Sequence, residues 1–290
     1  MAKVNISGKM VEEKDACISV FDHGLLYGDG VFEGIRVYGR CIFKLDEHVE
    51  RMYDSARAIS LPMPVDRQKF KEEIIRTCKE NGIESGYIRA VATRGAGDLG
   101  LNPRTCKNPQ YIIIARKVDP LLGEKSIEQG ADIITSSIRR VQSCAIPIRA
   151  KTLNYLNSVL AAAQAIDMGK DEAIMFSESG YVAEGSGDNI FIIKNGVIKT
   201  PPESSGALKG ITRDSIIEMA RANGFFVEEA DMTHFDIYTA DEIFLTGTLA
   251  EIVPVKSIDS RKVGDGRPGE TTKKLAALFR KYVANKGHKY

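Results

Sequence analysis

Arg149-Ala150-Lys151-Thr152-Leu153-Asn154-Tyr155 follows a short apolar run, Ala145 to Ile148, and leads directly into a helical pattern. In that pattern Leu156, Val159, Leu160, Ala163 and Ile166 recur at three- and four-residue spacing, the spacing of one helical face, and Gly169 closes the run. Lys151 therefore reads as a lysine at a strand-to-helix junction among apolar neighbours. Desolvation there would lower its pKa and leave more neutral, nucleophilic amine, the form that Schiff-base chemistry requires. Taken alone, the stretch is more commonly a surface lysine beside a helix start, so the rest of the chain decides.

Outward from it the chain is strand-rich on both sides. Beyond the lysine, alternating or apolar runs at 132–138, 172–177, 181–183, 189–194 and 197–200 read as strands, the last two joined by the hairpin turn Asn195-Gly196. Helices are expected at 212–223 and 271–285, and a strand at 241–246. Before the lysine, 35–38 and 41–44 read as a hairpin about Gly39-Arg40. Asp46 caps a helix to about 59 with a buried stripe of Val49, Met52, Tyr53 and Ala56, and Arg51 lies on the opposite side. A second helix at 68–81 buries Phe70, Ile74 and Cys78, and strands follow at 87–93 and 110–118. Residues 119–128 read as a linker. The pattern predicts an α+β protein of two domains, a small N-terminal one (1–118) and a larger, β-rich C-terminal one (129–290) carrying Lys151.

Composition narrows the function. The 290 residues are 43% hydrophobic and 27% charged, with a formal net charge of +1 and no basic block, which argues against a nucleic-acid partner. Cys17, Cys41, Cys78, Cys106 and Cys144 are odd in number and lack C-x-x-C spacing, so they read as reduced thiols of a cytoplasmic protein without a structural metal. No apolar run reaches the length of a membrane span, and no secretory leader pattern opens the chain. Gly95-Ala96-Gly97-Asp98-Leu99-Gly100 fits a dinucleotide fingerprint, but Asn102-Pro103-Arg104 follows where a helix start should receive a pyrophosphate, so a Gly-rich loop near a site or interface is the better reading.

Lysine chemistry on amino acids needs an electron sink, of which pyridoxal phosphate is the commonest. Such a cofactor asks for an anion site, a carboxylate against its ring nitrogen and a donor near its phenolic oxygen. Gly210-Ile211-Thr212 opens a helix whose free N–H groups could hold a phosphate, and Gly247-Thr248-Leu249 offers a second N–H turn plus a hydroxyl. Glu184 is a carboxylate among small residues after a strand, and Tyr155 lies one helical turn beyond Lys151.

With these motifs the sequence resembles the fold-type IV pyridoxal-phosphate enzymes, and among them the branched-chain amino-acid aminotransferases. The resemblance runs from about Phe21 to Lys262 through HGLLYGDGVFEGIR (23–36), EHVERMYDSA (47–56), YIRAVATRG (87–95), AKTLNY (150–155), YVAEGSGDNIF (181–191), GALKGITR (206–213) and FLTGTLAEIVPV (244–255). Related families of this fold share the lysine and glutamate but do not usually combine GVFEG with YIR. The resemblance implies that Lys151 binds pyridoxal 5'-phosphate covalently and shuttles the proton between substrate Cα and cofactor C4′. It implies that Glu184 pairs with the pyridine nitrogen and Tyr155 with the phenolic oxygen, while Arg51, Ile211, Thr212 and Thr248 hold the phosphate. On the substrate side it implies that the Thr248 and Leu249 N–H groups and the Tyr87 hydroxyl receive the α-carboxylate. Tyr27, Phe32 and Gly34 would line an aliphatic pocket, and Arg89 would reach the distal carboxylate of glutamate. The 95–109 loop of a second subunit would complete the pocket with Leu101, so a homodimer is expected. The implied reaction is transamination between branched-chain L-amino acids and 2-oxoglutarate. Alternatives are a D-amino-acid or (R)-amine transaminase of the same fold, a nucleotide-binding module with a structural lysine, or a cofactor-binding regulator without turnover.

Overall fold

The structure, a computed structural model, describes residues 2–117, 128–142, 144–284 and 286–290. The chain divides into two compact units: Met1–Asp119 with Ala150–Asn154 and Val283–Tyr290, and Pro120–Arg149 with Tyr155–Tyr282. The expected linker at 119–128 lies outside the described residues apart from its last position. Two pieces depart from the expected division, because Ala150–Asn154, with Lys151, and the C-terminal residues group with the N-terminal unit. Backbone pairing is the reason in both cases, as described below.

The first unit contains β1 (Lys3–Ile6), β2 (Lys9–Glu12), α1 (His23–Tyr27), β3 (Gly30–Tyr38), β4 (Cys41–Phe43), α2 (Leu45–Ala58), α3 (Arg67–Glu80), β5 (Gly86–Thr93) and β6 (Gln110–Arg116). Among the described residues these strands and the C-terminal strand Gly287–Lys289 make a seven-stranded sheet, ordered Gly287–Lys289, β4, β3, β5, β6, β1, β2. All of its pairings are antiparallel. Alternation sorts the side chains: Val31, Ile35 and Val37 of β3 and Ile88, Ala90 and Ala92 of β5 pack with Val49, Met52, Phe70 and Ile74 of the two long helices. The opposite face of the β3–β5 pair then carries Phe32, Gly34 and Arg36 across from Val91, Arg89 and Tyr87.

α2 begins two residues earlier than expected from its acids. Lys44, in a left-handed conformation, is its N-cap, and Asp46 and Glu47 sit in the first turn, where they favour the positive end of the helix dipole. Beside the apolar stripe, α2 carries a polar one, in which His48 and Ser55 are buried and Arg51 is partly buried. α3 is capped by Asp66, whose carboxylate accepts from Lys69 N at 2.8 Å.

The second unit contains β7 (Ala131–Arg139), α4 (Leu156–Asp167), β8 (Glu172–Phe176), β9 (Val182–Gly185), β10 (Asn189–Lys194), β11 (Val197–Thr200), α5 (Ile211–Ala222), β12 (Val227–Glu229), α6 (His234–Tyr238), β13 (Glu242–Gly247), β14 (Glu251–Ile258), β15 (Arg261–Lys262) and α7 (Glu270–Val283). Its sheet runs β12, β11, β10, β13, β14, β7, β8, β9, with β15 on β14. β7, α4 and β8 form a parallel crossover. The helix lies on these strands through small residues: Ala161 and Ala165 join Ile134, Ala173 and Met175 in one core cluster. The helix expected from Leu156, Val159, Leu160 and Ile166 is present, and these four residues of its apolar face are exposed. Helical spacing identifies a face; it does not say which face meets the sheet, and here close approach selects the alanines. β14 contains a proline, Pro254, which pairs with Phe244 of β13. Its pairing with β7 starts only at Val255, one residue past the proline.

Candidate active site

In the first unit the site is built on β3. Its C-terminal residues pair with β4, but at Gly30–Phe32 that edge is taken by the lysine segment. Phe32 N donates to Lys151 O (2.9 Å), Leu153 N donates to Gly30 O (2.9 Å), and Val31 bridges Thr152. The expected strand before the lysine is instead a series of turns and bends, and the extended segment is 150–154 itself. Lys151 N donates to Ser55 Oγ at 3.0 Å, so α2's polar stripe also holds the lysine backbone. Lys151 Nζ lies 4.5 Å from the Phe32 ring centroid, and the Arg89 guanidinium lies 4.6 Å from that centroid. Arg89 also stands 5.4 Å from the Tyr87 ring.

Gly34 faces Arg89 across the β3–β5 ladder, and its lack of a side chain makes room for Tyr87. A Cβ there would overlap the Tyr87 hydroxyl and lie 2.8 Å from Cζ. Lys151, Phe32, Gly34, Tyr87 and Arg89 are thus brought together. The Tyr27 hydroxyl donates to the Leu99 carbonyl in the 95–109 loop. That loop contains a short 3-10 turn, Pro103–Thr105, and no α-helix. Leu101 is 80% exposed.

Arg51 is held by residues that the sequence reading passed over. Its Nε and Nη2 donate to Glu33 at 2.7 and 2.8 Å, and His48 Nδ1 meets the same carboxylate at 2.7 Å. Burial alone would raise the Glu33 carboxyl, but Arg51 and His48 overcome it and hold it down at about 2, against an ordinary 4.5. Burial pushes the His48 imidazole below its ordinary 6.5, with Glu33 only partly opposing. The imidazole is therefore neutral near pH 7 and donates from Nδ1. A glutamate at a core-facing strand position, with a His and an Arg three residues apart on the following helix, is the signal that was available.

These shifts carry a stability signature. Both groups have depressed folded values, so both contributions are present above the unfolded values and are lost as pH falls. Loss through His48 starts near 6.5, and loss through Glu33 runs between 4.5 and about 2. The lower step is worth about 3 kcal/mol. Urea unfolding across this range is expected to show it in the parent and not in Glu33→Gln.

In the second unit the hub is the segment from Glu184 to Asn189. Glu184, 7% exposed, accepts from Leu208 N at 2.9 Å and Asn189 Nδ2 at 3.2 Å, and pairs with Arg140 Nη2 at 2.9 Å. Asn189 in turn abuts Gly210, the N-cap of α5, where an added Cβ would overlap its Oδ1. Gly210 provides no side-chain cap, so Ile211 and Thr212 open α5 with main-chain N–H groups aimed out of the helix start. Asp188 abuts Gly247 in the same way, which ties the hub to the Thr248–Leu249 turn between β13 and β14. The loop therefore links a buried carboxylate, a helix start and an N–H turn. Arg140 and Asn189 were not singled out from the sequence. Tyr155 is the N-cap of α4 in this unit, while Lys151 belongs to the other.

The sequence matches the amino-transferase class IV family over residues 30–258. The chain belongs to this family. A Methanocaldococcus jannaschii protein carrying a branched-chain-amino-acid aminotransferase name is 51% identical over 278 residues, covering 96% of this chain and 95% of its own. The crystal structure of the Escherichia coli branched-chain amino acid aminotransferase is similar at a TM-score of 0.95 and 38% identity, covering 100% of this chain and 97% of the other. That of the Thermobaculum terrenum branched-chain amino acid aminotransferase, solved in its PLP form, is similar at a TM-score of 0.87 and 31% identity, covering 97% of this chain and 93% of the other.

Proposed function

We propose that this aminotransferase moves the amino group between leucine, isoleucine or valine and 2-oxoglutarate, with pyridoxal 5'-phosphate as its resident cofactor. The observation that carries the reading is the β3–β5 face, where Phe32 gives an apolar wall, Gly34 lets the Tyr87 ring lie close against β3, and Arg89 gives one cation. Such a surface suits an aliphatic side chain in one half-reaction and a distal carboxylate in the other. The named relatives favour the branched-chain reading over the D-amino-acid or (R)-amine alternative.

Each unit offers groups of the kind the cofactor needs: an amine at Lys151 in the first, and a buried carboxylate at Glu184 and an α5 start without a side-chain cap in the second. When bound, the cofactor supplies an electron sink for charge developing at the substrate Cα. Lys151 would take the proton from the substrate Cα and later give it back, acting as base and then acid. Glu184, kept in place by Arg140, Asn189 and Leu208 N–H, holds a proton on the ring nitrogen. Tyr155 donates to the phenolic oxygen. Arg51, the Ile211 and Thr212 N–H groups and Thr248 bind the phosphate. Thr248 and Leu249 N–H and the Tyr87 hydroxyl orient the α-carboxylate, and Tyr27, Phe32 and Gly34 exclude water from the side-chain pocket.

We read the working form as a cytoplasmic homodimer in which Leu101 of one copy closes the pocket of the other. The exposed Leu99, Leu101, Leu156, Val159, Leu160 and Ile166 and the five free thiols support this. Among the described residues no helix is long and apolar enough to cross a membrane.

The test is a half-reaction assay with L-leucine, D-alanine and an (R)-amine, read by cofactor absorbance. Turnover of L-leucine is expected; turnover of only the D or (R) partner would overturn the reading. Gly34→Ala is expected to raise KM by roughly tenfold, the loss of one hydrogen bond to substrate. It should leave the unfolding midpoint close to the parent's, because the glycine backbone there is ordinary extended strand and the overlap falls on the outer end of the half-buried Tyr87 side chain, which can swing aside.

A further inference from the structure

We propose that Glu33 is a positioning residue for the Arg51 guanidinium, fixing its orientation towards a phosphate-bearing ligand, with His48 locking the carboxylate that does so. The proposal rests on the reading of Arg51 as a phosphate ligand and deepens it.

Glu33 stands on the core face of β3 between Val31 and Ile35, where every other side chain is apolar, and is 1% exposed. A buried ion pair is weak evidence for stability, since apolar residues of similar volume often serve as well or better. What this one provides is geometry. Glu33 Oε1 accepts from Arg51 Nε, and Oε2 accepts from Arg51 Nη2 and His48 Nδ1, so the carboxylate cannot turn without breaking three bonds. The guanidinium is then held along one whole edge, while its side chain keeps 15% exposure. A fork fixed in advance loses less freedom when it meets an anion than a mobile one does.

The same helix face holds the Lys151 backbone through Ser55, so the polar stripe of α2 sets both the arginine and the lysine segment. The charged and titratable groups facing this cluster are Arg51, Glu33, His48 and Lys151, the last acting on His48 through space.

The test is a double-mutant cycle on apoprotein: parent, Glu33→Gln, Arg51→Lys and the double variant, each titrated by absorbance with pyridoxal 5'-phosphate and with pyridoxal. Glu33→Gln is expected to weaken binding of the phosphorylated ligand roughly 10- to 100-fold, the worth of a charge-assisted bond, and to leave pyridoxal binding unchanged. Little further loss is expected when it is added to Arg51→Lys. Equal weakening of both ligands, or a loss fully additive with Arg51→Lys, overturns the proposal, because either marks a merely structural role. If Arg51→Lys itself discriminates between the ligands and Glu33→Gln does not, the proposal fails while the reading of Arg51 stands. If Arg51→Lys does not discriminate, that reading fails and the proposal goes with it. Should Glu33→Gln not fold, His48→Gln carries the test. It leaves the Glu33–Arg51 bonds in place and is expected to give a smaller loss confined to the phosphorylated ligand, with equal loss for both ligands overturning the proposal.

Discussion

Lys151→Ala is expected to give a folded, colourless protein whose turnover falls on the order of 10⁴-fold, the upper range for loss of a positioned acid–base group. The fold is expected to survive because the contacts that place this residue belong to its main chain. Its carbonyl accepts from Phe32 N–H and its own N–H donates to Ser55 Oγ, and alanine keeps both. The contact of the ammonium with the Phe32 ring is lost, which costs about 0.5–1 kcal/mol. Three measurements check this: visible absorbance of the reconstituted protein, the mass of a borohydride-trapped adduct, and the thermal midpoint. A trapped adduct on the alanine variant would place the cofactor linkage on another amine and remove the basis of the proposed function.

Glu184→Gln is expected to lower kcat on the order of 10²- to 10³-fold, the size seen when one fixed electrostatic contact is removed from a reacting centre. The amide preserves shape but cannot hold a proton on a ring nitrogen by charge. It also leaves Arg140, whose side chain is 9% exposed, facing a neutral partner. Loss of a charge-assisted bond at such a site costs about 1–3 kcal/mol. Glu184→Ala is expected to cost more, about 3–5 kcal/mol, since it strands a buried guanidinium and also frees Asn189 and Leu208 N–H. Urea titrations rank the two variants, and single-turnover kinetics on the glutamine variant isolate the chemical step. Parental kcat in Glu184→Gln would rule out a ring-nitrogen role.

Much of the secondary structure was legible because local chemistry and tertiary demand agree. Asn189–Lys194 and Val197–Thr200 fall where alternation puts them, and Asn195 and Gly196 between them take the positive φ values, 49° and 78°, that an Asn-Gly turn supplies. The disagreements share one cause, partners distant in sequence. The apolar face of α4 is visible in the sequence, but the alanine face is what the sheet accepts. Gly287–Lys289 has no strand signal of its own and is a strand because β4 has an open edge. The lysine and the acid were noticed from residue type and setting, while most other roles came with the family resemblance. Glu33, Arg140 and Asn189 act through other side chains rather than through a ligand. For Arg140 and Asn189 no spacing rule marks that role; burial and hydrogen bonding do.

The way Ala150–Asn154 joins β3 bears on the order in which the protein gains its competence. Asn154 Nδ2 donates to the carbonyl of Gly28 across 126 positions of chain, whereas the β3–β4 hairpin needs only a two-residue turn. Contacts that close such long loops form late, after local pairings have met their smaller entropic cost. A newly folding molecule is therefore expected to hold its β3–β4 and β3–β5 pairings while the Lys151 segment is still loose, so that the placing of this side chain comes with a late docking event and not with collapse.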